Sequence, residues 1–172
     1  MTTVEPSVAP RAPLDATVSA AALTPAALHA HWQAHRRLTR RAIARFPEEP
    51  FGTFAVGGLR TASGLVGELL EVGVPMLREI VTGERQSFGG HQGLDRDEAL
   101  RRWDEGTAEL DALWARLDPT RLGERATVFG SYEGAVIDHL LYAVDNEVHH
   151  RGQLYVYLRA LGVEPPPFWA RD

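Results

Sequence analysis

The chain contains no cysteine. Disulfides, thiolate chemistry from the protein itself and cysteine-held zinc are therefore excluded, and any metal must be held by His, Asp, Glu, Asn or water. No apolar run approaches the roughly 18 residues that a membrane-spanning helix needs. Basic residues are also short: 18 Lys and Arg stand against 23 Asp and Glu, for a net charge of −5. That balance argues against a nucleic-acid surface and against a polybasic membrane patch. The N-terminus lacks a charged-then-apolar signal pattern, so a cytoplasmic protein is expected. The pairs Gly57-Gly58 and Gly89-Gly90 are followed by no Lys-Ser/Thr and preceded by no strand, and Gly-x-Ser-x-Gly is missing. Nucleotide binding by a phosphate loop and serine-hydrolase chemistry thus have no motif behind them.

What is present is helical period. The 172 residues, 44% hydrophobic and 24% charged, are enough for one globular domain with a real core. Residues 1–22, rich in Ala, Pro, Thr and Val without period, read as a flexible tail ahead of a domain over 23–172. Thr24-Pro25 is a helix start, and Pro47 and Pro50 close the first helix. Its inner face is Leu28, Trp32, His35, Leu38 or Thr39, Ala42 or Ile43, and Phe46; Arg36, Arg37, Arg40 and Arg41 are assigned to the outer face. A second helix begins near Thr61 or Ser63 and ends at Thr82-Gly83, with Pro75 predicting a kink. Asp95 and Glu98 resemble a capping box ahead of a third helix ending at Asp118-Pro119. Ala126 to Phe129 could be extended. The fourth helix is placed from near Ser131 to Leu161, stopped by Gly162. The tail aromatics Phe168 and Trp169 are expected to pack on the bundle or on a partner chain. Four helices of this length with almost no strand signal predict an all-α four-helix bundle.

The fourth helix carries the feature in need of explanation. Its apolar face is interrupted by Asn146, Glu147 and His150. Burying a polar group without a partner costs about 1–3 kcal/mol, so the belt must be either a closed hydrogen-bond network or a metal or substrate site. Asn146 and His150, four apart, project from consecutive turns of one face. A third ligand would come from a neighbouring helix, with Glu68 the first choice and His35 the second. Glu147 or Glu71 is the candidate general base. Glu147-Val148-His149-His150 also spells the Glu-x-x-His of di-iron bundles, but such sites need a second copy and the chain has none. His149 and Arg151 read as surface or interface residues, His139 as a core or rim histidine, and Gly152 as a mark of close helix approach.

The stretch His149 to Pro166, HHRGQLYVYLRALGVEPP, resembles the closing helix of the DinB/YfiT-like family. Trp32 to Leu38 is similar to that family's first helix, and Leu59-Arg60-Thr61 to Glu68 to the start of its second. The resemblance covers residues 24–168. It implies up-down-down-up connectivity and a homodimer. It also implies a divalent-metal site, built in relatives from three histidines that often hold nickel or zinc. Those positions fall here on Glu68, Asn146 and His150. The donor set is richer in oxygen, which suits manganese, iron or magnesium better than three imidazoles do. Relatives include enzymes that use a low-molecular-weight thiol, so the implied activity is metal-dependent transfer or hydrolysis on a small-molecule substrate. The alternative is a non-catalytic dimeric bundle whose degenerate site serves ligand binding or structure.

Overall fold

The computed structural model describes residues 23–171, so the tail proposed for residues 1–22 lies outside the described residues. Helix α1 spans Pro25–Arg45, with the Thr24 hydroxyl accepting the Ala27 N–H at 3.1 Å. A short helix that the sequence reading did not anticipate, α2 (Glu48–Thr53), follows directly on Pro47. It is anchored by buried Phe51, whose ring meets Phe46 edge-on at 5.8 Å. Helix α3 spans Ala62–Thr82, capped by Thr61 and stopped by Gly83 in the left-handed conformation. It is continuous through Pro75. Helix α4 spans Arg96–Trp114, and the Asp95 carboxylate accepts the Glu98 N–H at 2.7 Å. The reciprocal half of the capping box is replaced, because Glu98 turns to Arg101 and Arg102 instead.

The fourth long helix starts later than expected. Strand β1 (Arg125–Val128) pairs antiparallel with β2 (Tyr132–Ala135), and α5 (Val136–Ala160) begins only after that hairpin. Phe129 and Gly130 both have positive φ, 51° and 70°, and Ser131 N–H closes the turn onto Val128 O. Two consecutive left-handed residues are the tight-turn solution that matches strand twist. Phe129 tolerates that backbone because its N–H donates to buried Glu79 at 3.0 Å and its ring stacks on Phe88 at 4.5 Å.

The helices pair α1 with α4 and α5, and α3 with the same two. Arg40–Asp104 and His29–Asp111 run α1 antiparallel to α4. Val74 beside Gly106 and Arg78 on Glu109 run α3 parallel to α4. Arg60–Tyr157 and Glu68–His150 run α3 antiparallel to α5. The connectivity is therefore up-down-down-up.

Two apolar clusters fill the interior. One gathers Leu28, Trp32, Met76, Leu110, Val136 and Leu140 at one end; the other gathers Ile43, Phe46, Leu65, Trp103, Leu154 and Leu158 at the other. Each large apolar side chain so buried contributes about 1.5–3 kcal/mol. Between the clusters lies a belt of buried polar residues: His35, Arg36 and Thr39 from α1, and Asn146, Glu147, His150 and Arg151 from α5. Arg36 and Arg151 correct the sequence reading, since both are buried rather than outward. Gly152 is another correction, for no described residue of another element lies within 4 Å of where its Cβ would stand.

Candidate functional site

A cavity of about 1160 Å³ opens between α3, the first turns of α5, the β-hairpin and the loop of residues 84–94. Its walls depend on a few specific contacts. Gly67 on α3 has no side chain because a Cβ there would lie 2.3 Å from His91 O, so glycine lets the loop rest on the helix. The His91 N–H then donates to Glu71 Oε1 at 3.0 Å, and Arg102 donates to His91 Nδ1 at 2.8 Å. Glu79 ties loop to hairpin, accepting both the Gln86 and Phe129 amides through one oxygen. His139, on α5, pairs its Nε2 with Ala126 O at 3.1 Å and so fixes the hairpin against the helix.

Glu68 lies on the cavity wall, and behind it stands His150. Glu68 Oε1 is 3.0 Å from His150 Nε2. The other Glu68 oxygen meets the guanidinium of Arg60. His150 Nδ1 lies 3.3 Å from Gln153 Oε1, while the Gln153 amide nitrogen is 3.0 Å from His149 Nε2. As placed, the Gln153 oxygen suits a proton on His150 Nδ1, which turns the Nε2 lone pair toward Glu68, where a proton or a cation must lie between the two atoms; the reversed amide suits an Nε2–H that donates to Glu68 Oε1. Burial, reinforced by Arg60, lowers the affinity of His150 for a second proton. Asn146, one turn earlier on α5, is buried, and no hydrogen bond joins its carboxamide to a described residue.

The other residues singled out in the sequence lie elsewhere. Glu147 is 3% exposed and does not line the cavity. Its Oε1 accepts the Thr39 hydroxyl at 2.6 Å and lies 3.7 Å from Arg151 Nη1. Burial pushes its carboxyl upward in pKa, and Arg36 is the chief opposing influence. Glu71, the other candidate base, does line the cavity. His35 does not join the Glu68–His150 pair. Arg151 reaches its Nδ1 at 2.8 Å, and its Nε2 faces His31 and Arg171, each at 3.1 Å. Burial and the Arg151 charge hold the His35 imidazole down to about 4. Arg36 donates to Trp103 O and Thr107 and lies 4.0 Å over the Trp103 ring; burial pulls it down to about 10.

Sequence reasoning missed His91, Asp138, Glu133, Tyr132 and Tyr142, and assigned His139 only to the core or rim; all line the cavity. Gly67, between Val66 and Glu68 on α3, was the available signal of that close backbone approach. Phe168 and Trp169 are exposed and touch each other at 5.2 Å, while the tail backbone behind them is held by Arg37 and Arg41. Among the described residues no group of three or more His, Cys, Asp and Glu is placed to hold a metal. No described helix is long and apolar enough to cross a membrane.

A model of the DinB family matches residues 20–172. The chain belongs to the DinB family. Two solved DinB-like proteins share its fold. One from Bacillus subtilis is 18% identical over 84% of this chain and 99% of its own, with a TM-score of 0.67. One from Bacillus cereus ATCC 10987 is 15% identical over 84% and 97%, with a TM-score of 0.70. No curated protein matches the chain in sequence. At these identities the likeness speaks for the bundle of this DinB-family chain and leaves its chemistry to its own residues.

Proposed function

We propose that this DinB-family protein is a divalent-metal-dependent enzyme, a transferase or hydrolase acting on a small molecule in the cavity. The observation that carries the reading is the approach of Glu68 Oε1 and His150 Nε2, two metal-ligand atoms facing each other 3.0 Å apart from different helices. Two ligands each roughly 2.0–2.2 Å from one cation have about that separation, so the pair fits adjacent positions on a single metal. Asn146 is the third donor, its carboxamide otherwise unpartnered. One imidazole with two oxygen donors favours a harder cation, manganese or iron before nickel or zinc. Such a cation supplies Lewis acidity, favouring the anionic form of a thiol or of water at neutral pH.

The chain's own residues do the rest. Gln153 fixes the His150 tautomer, as an outer partner of a metal-binding histidine must. The lowered proton affinity of His150 keeps its imidazole neutral, the form able to ligate. Glu71, one turn beyond Glu68 and on the cavity wall, is the group positioned to accept a proton from substrate. Arg60, 60% exposed along its side chain, competes with the cation for Glu68 and must swing aside when it binds. A low-molecular-weight thiol as co-substrate is compatible with a chain that has no cysteine of its own. The proposal extends to a homodimer, supported by Leu141, Val148 and Val156, which are exposed at helical spacing along α5; sedimentation velocity measures it.

A second reading, a metal-free bundle serving ligand binding or structure, is favoured by the Arg60–Glu68 ion pair and by the His150 ring beside the same carboxylate, which offset its charge without a metal. Elemental analysis of tag-free protein after dialysis against manganese, zinc and nickel decides between them. The metal reading requires about one metal per chain, lost in His150→Ala while circular dichroism retains the helices. Protein that takes up no metal under any of these conditions supports the second reading.

A further inference from the structure

The walls of the cavity carry a field that its metal pair does not account for. Among the described residues four carboxylates line it, Glu68 and Glu71 from α3, Glu133 from β2 and Asp138 from the first turn of α5, against one guanidinium, Arg60. Glu68 is taken by Arg60 or by the proposed metal, which leaves Glu71, Glu133 and Asp138 as the excess. Glu71 receives only the His91 amide, and Glu133 has a loose ion pair at 3.6 Å with Arg125, both partners largely exposed. Such an exposed pair neutralises little. His91 does not compensate, since burial and Arg102 lower its affinity for a proton. Three elements therefore surround one space with carboxylates, half-buried at Glu68 and Glu71 and exposed at Glu133 and Asp138, and its field attracts cations.

A second observation is independent of charge. Three aromatic side chains line the same cavity yet remain more than half exposed: Phe88 at 53%, Tyr132 at 60% and Tyr142 at 55%. They come from a loop, a strand and a helix, and apart from the Phe88 face stacked on Phe129 their rings are available to a ligand in the cavity. Aromatic faces next to carboxylates are the surroundings an organic ammonium prefers, because the ring quadrupole and the carboxylate charge attract the same cation. A carboxylate or phosphate ligand would meet the opposite field.

We infer that the cavity selects organic cations, so that the substrate is a small amine or ammonium compound with an apolar body. This rests on the proposed role of the cavity as the substrate site and names the substrate class for it. The carboxylates bind the charged end, the aromatic rim covers the apolar body, and the Glu68–His150 pair lies at the wall between α3 and α5.

Three probes of matched shape test it by calorimetry on the full chain: phenethylamine, 2-phenylethanol and 3-phenylpropanoate. Phenethylamine is expected to bind at least about tenfold more tightly than the alcohol, with the propanoate weakest. The advantage should shrink as salt rises. Glu71→Gln combined with Asp138→Asn should bring the amine to the level of the alcohol while the melting temperature is retained. Tyr142→Ala, an exposed position, should weaken the amine severalfold. Equal affinity for the three probes, preference for the propanoate, an unchanged double variant, or no saturable amine binding at millimolar concentration would each overturn the inference. Metal content is measured on the same samples. Metal retained without amine preference removes this inference alone; amine preference without metal removes the metal-enzyme reading alone.

Discussion

Two sides of one helix turn in α5 show how the same residue spacing yields opposite results. Glu147 and Arg151 are four apart and face α1; Asn146 and His150 are four apart and face the α3 side. The α1 side is closed around Glu147 and Arg151, while the Tyr155 hydroxyl one turn on is buried without a partner among the described residues. Arg151 donates to Thr39, Thr39 donates to Glu147, and Arg36 completes the charge balance from the same helix. The α3 side is open: the Glu68 carboxylate faces the His150 imidazole, Glu68 Oε2 is buried without a hydrogen bond to a described residue, and none joins the Asn146 carboxamide to one. A buried network with every group matched holds a bundle in register, whereas a mismatched one at a cavity wall leaves room for a ligand. The difference teaches that a polar belt in a helical core should be judged by whether its hydrogen bonds close.

The comparison can be broken by removing its best-paired member. Glu147→Ala leaves Arg36 and Arg151 buried without their carboxylate, and an expected loss of about 3–5 kcal/mol follows. Urea unfolding at pH 7 measures it, and a loss below about 1 kcal/mol would mean that the closed network holds little of the fold. A smaller effect comes from acid. His35 is held to about 4, against an ordinary value of 6.5. Between those limits the unfolded chain takes up a proton that the folded chain refuses, so the contribution is complete above 6.5 and is lost as pH falls toward 4. Its size is roughly 2–3 kcal/mol. His35→Asn should flatten that part of the pH–stability curve, and an identical slope in wild type and variant would refute the assignment.

On the open side, stability should barely respond. Glu68 is partly exposed, so Glu68→Gln is expected to shift unfolding by less than about 1 kcal/mol. It should nonetheless abolish metal uptake. Arg60→Gln sharpens the contrast further, because removing the competing guanidinium should raise metal affinity severalfold with no loss of helix content. A Glu68 variant as damaging as the Glu147 one would erase the distinction between the two sides.

Much of this fold could be read from the residues. Thr24-Pro25, Thr61, Asp95 and Gly83 bounded helices because caps and stops act locally. The hairpin escaped because its strands are only four residues long and its turn places a phenylalanine where glycine is usual. Arg36 was misplaced outward on its charge, although its spacing from Trp32 and Thr39 put it on the inner face. The polar belt was visible as a break in an apolar stripe, and Glu68, named from the sequence as a candidate third ligand, lies 3.0 Å from His150. The separation of Glu147 and His35 from that pair was not visible, since neighbours in sequence point about 100° apart on a helix and their partners sit on different helices.

The sequence by itself determined the helices, their ends and the interruption of the last one by polar residues, because periodicity and capping are properties of consecutive residues. Only the tertiary structure decided which polar groups pair and which stay open. It also assembled the cavity, whose walls come from a loop, a hairpin and two helices distant in the chain. Charge concentrated across such distances is a property of packing, and no local pattern encodes it.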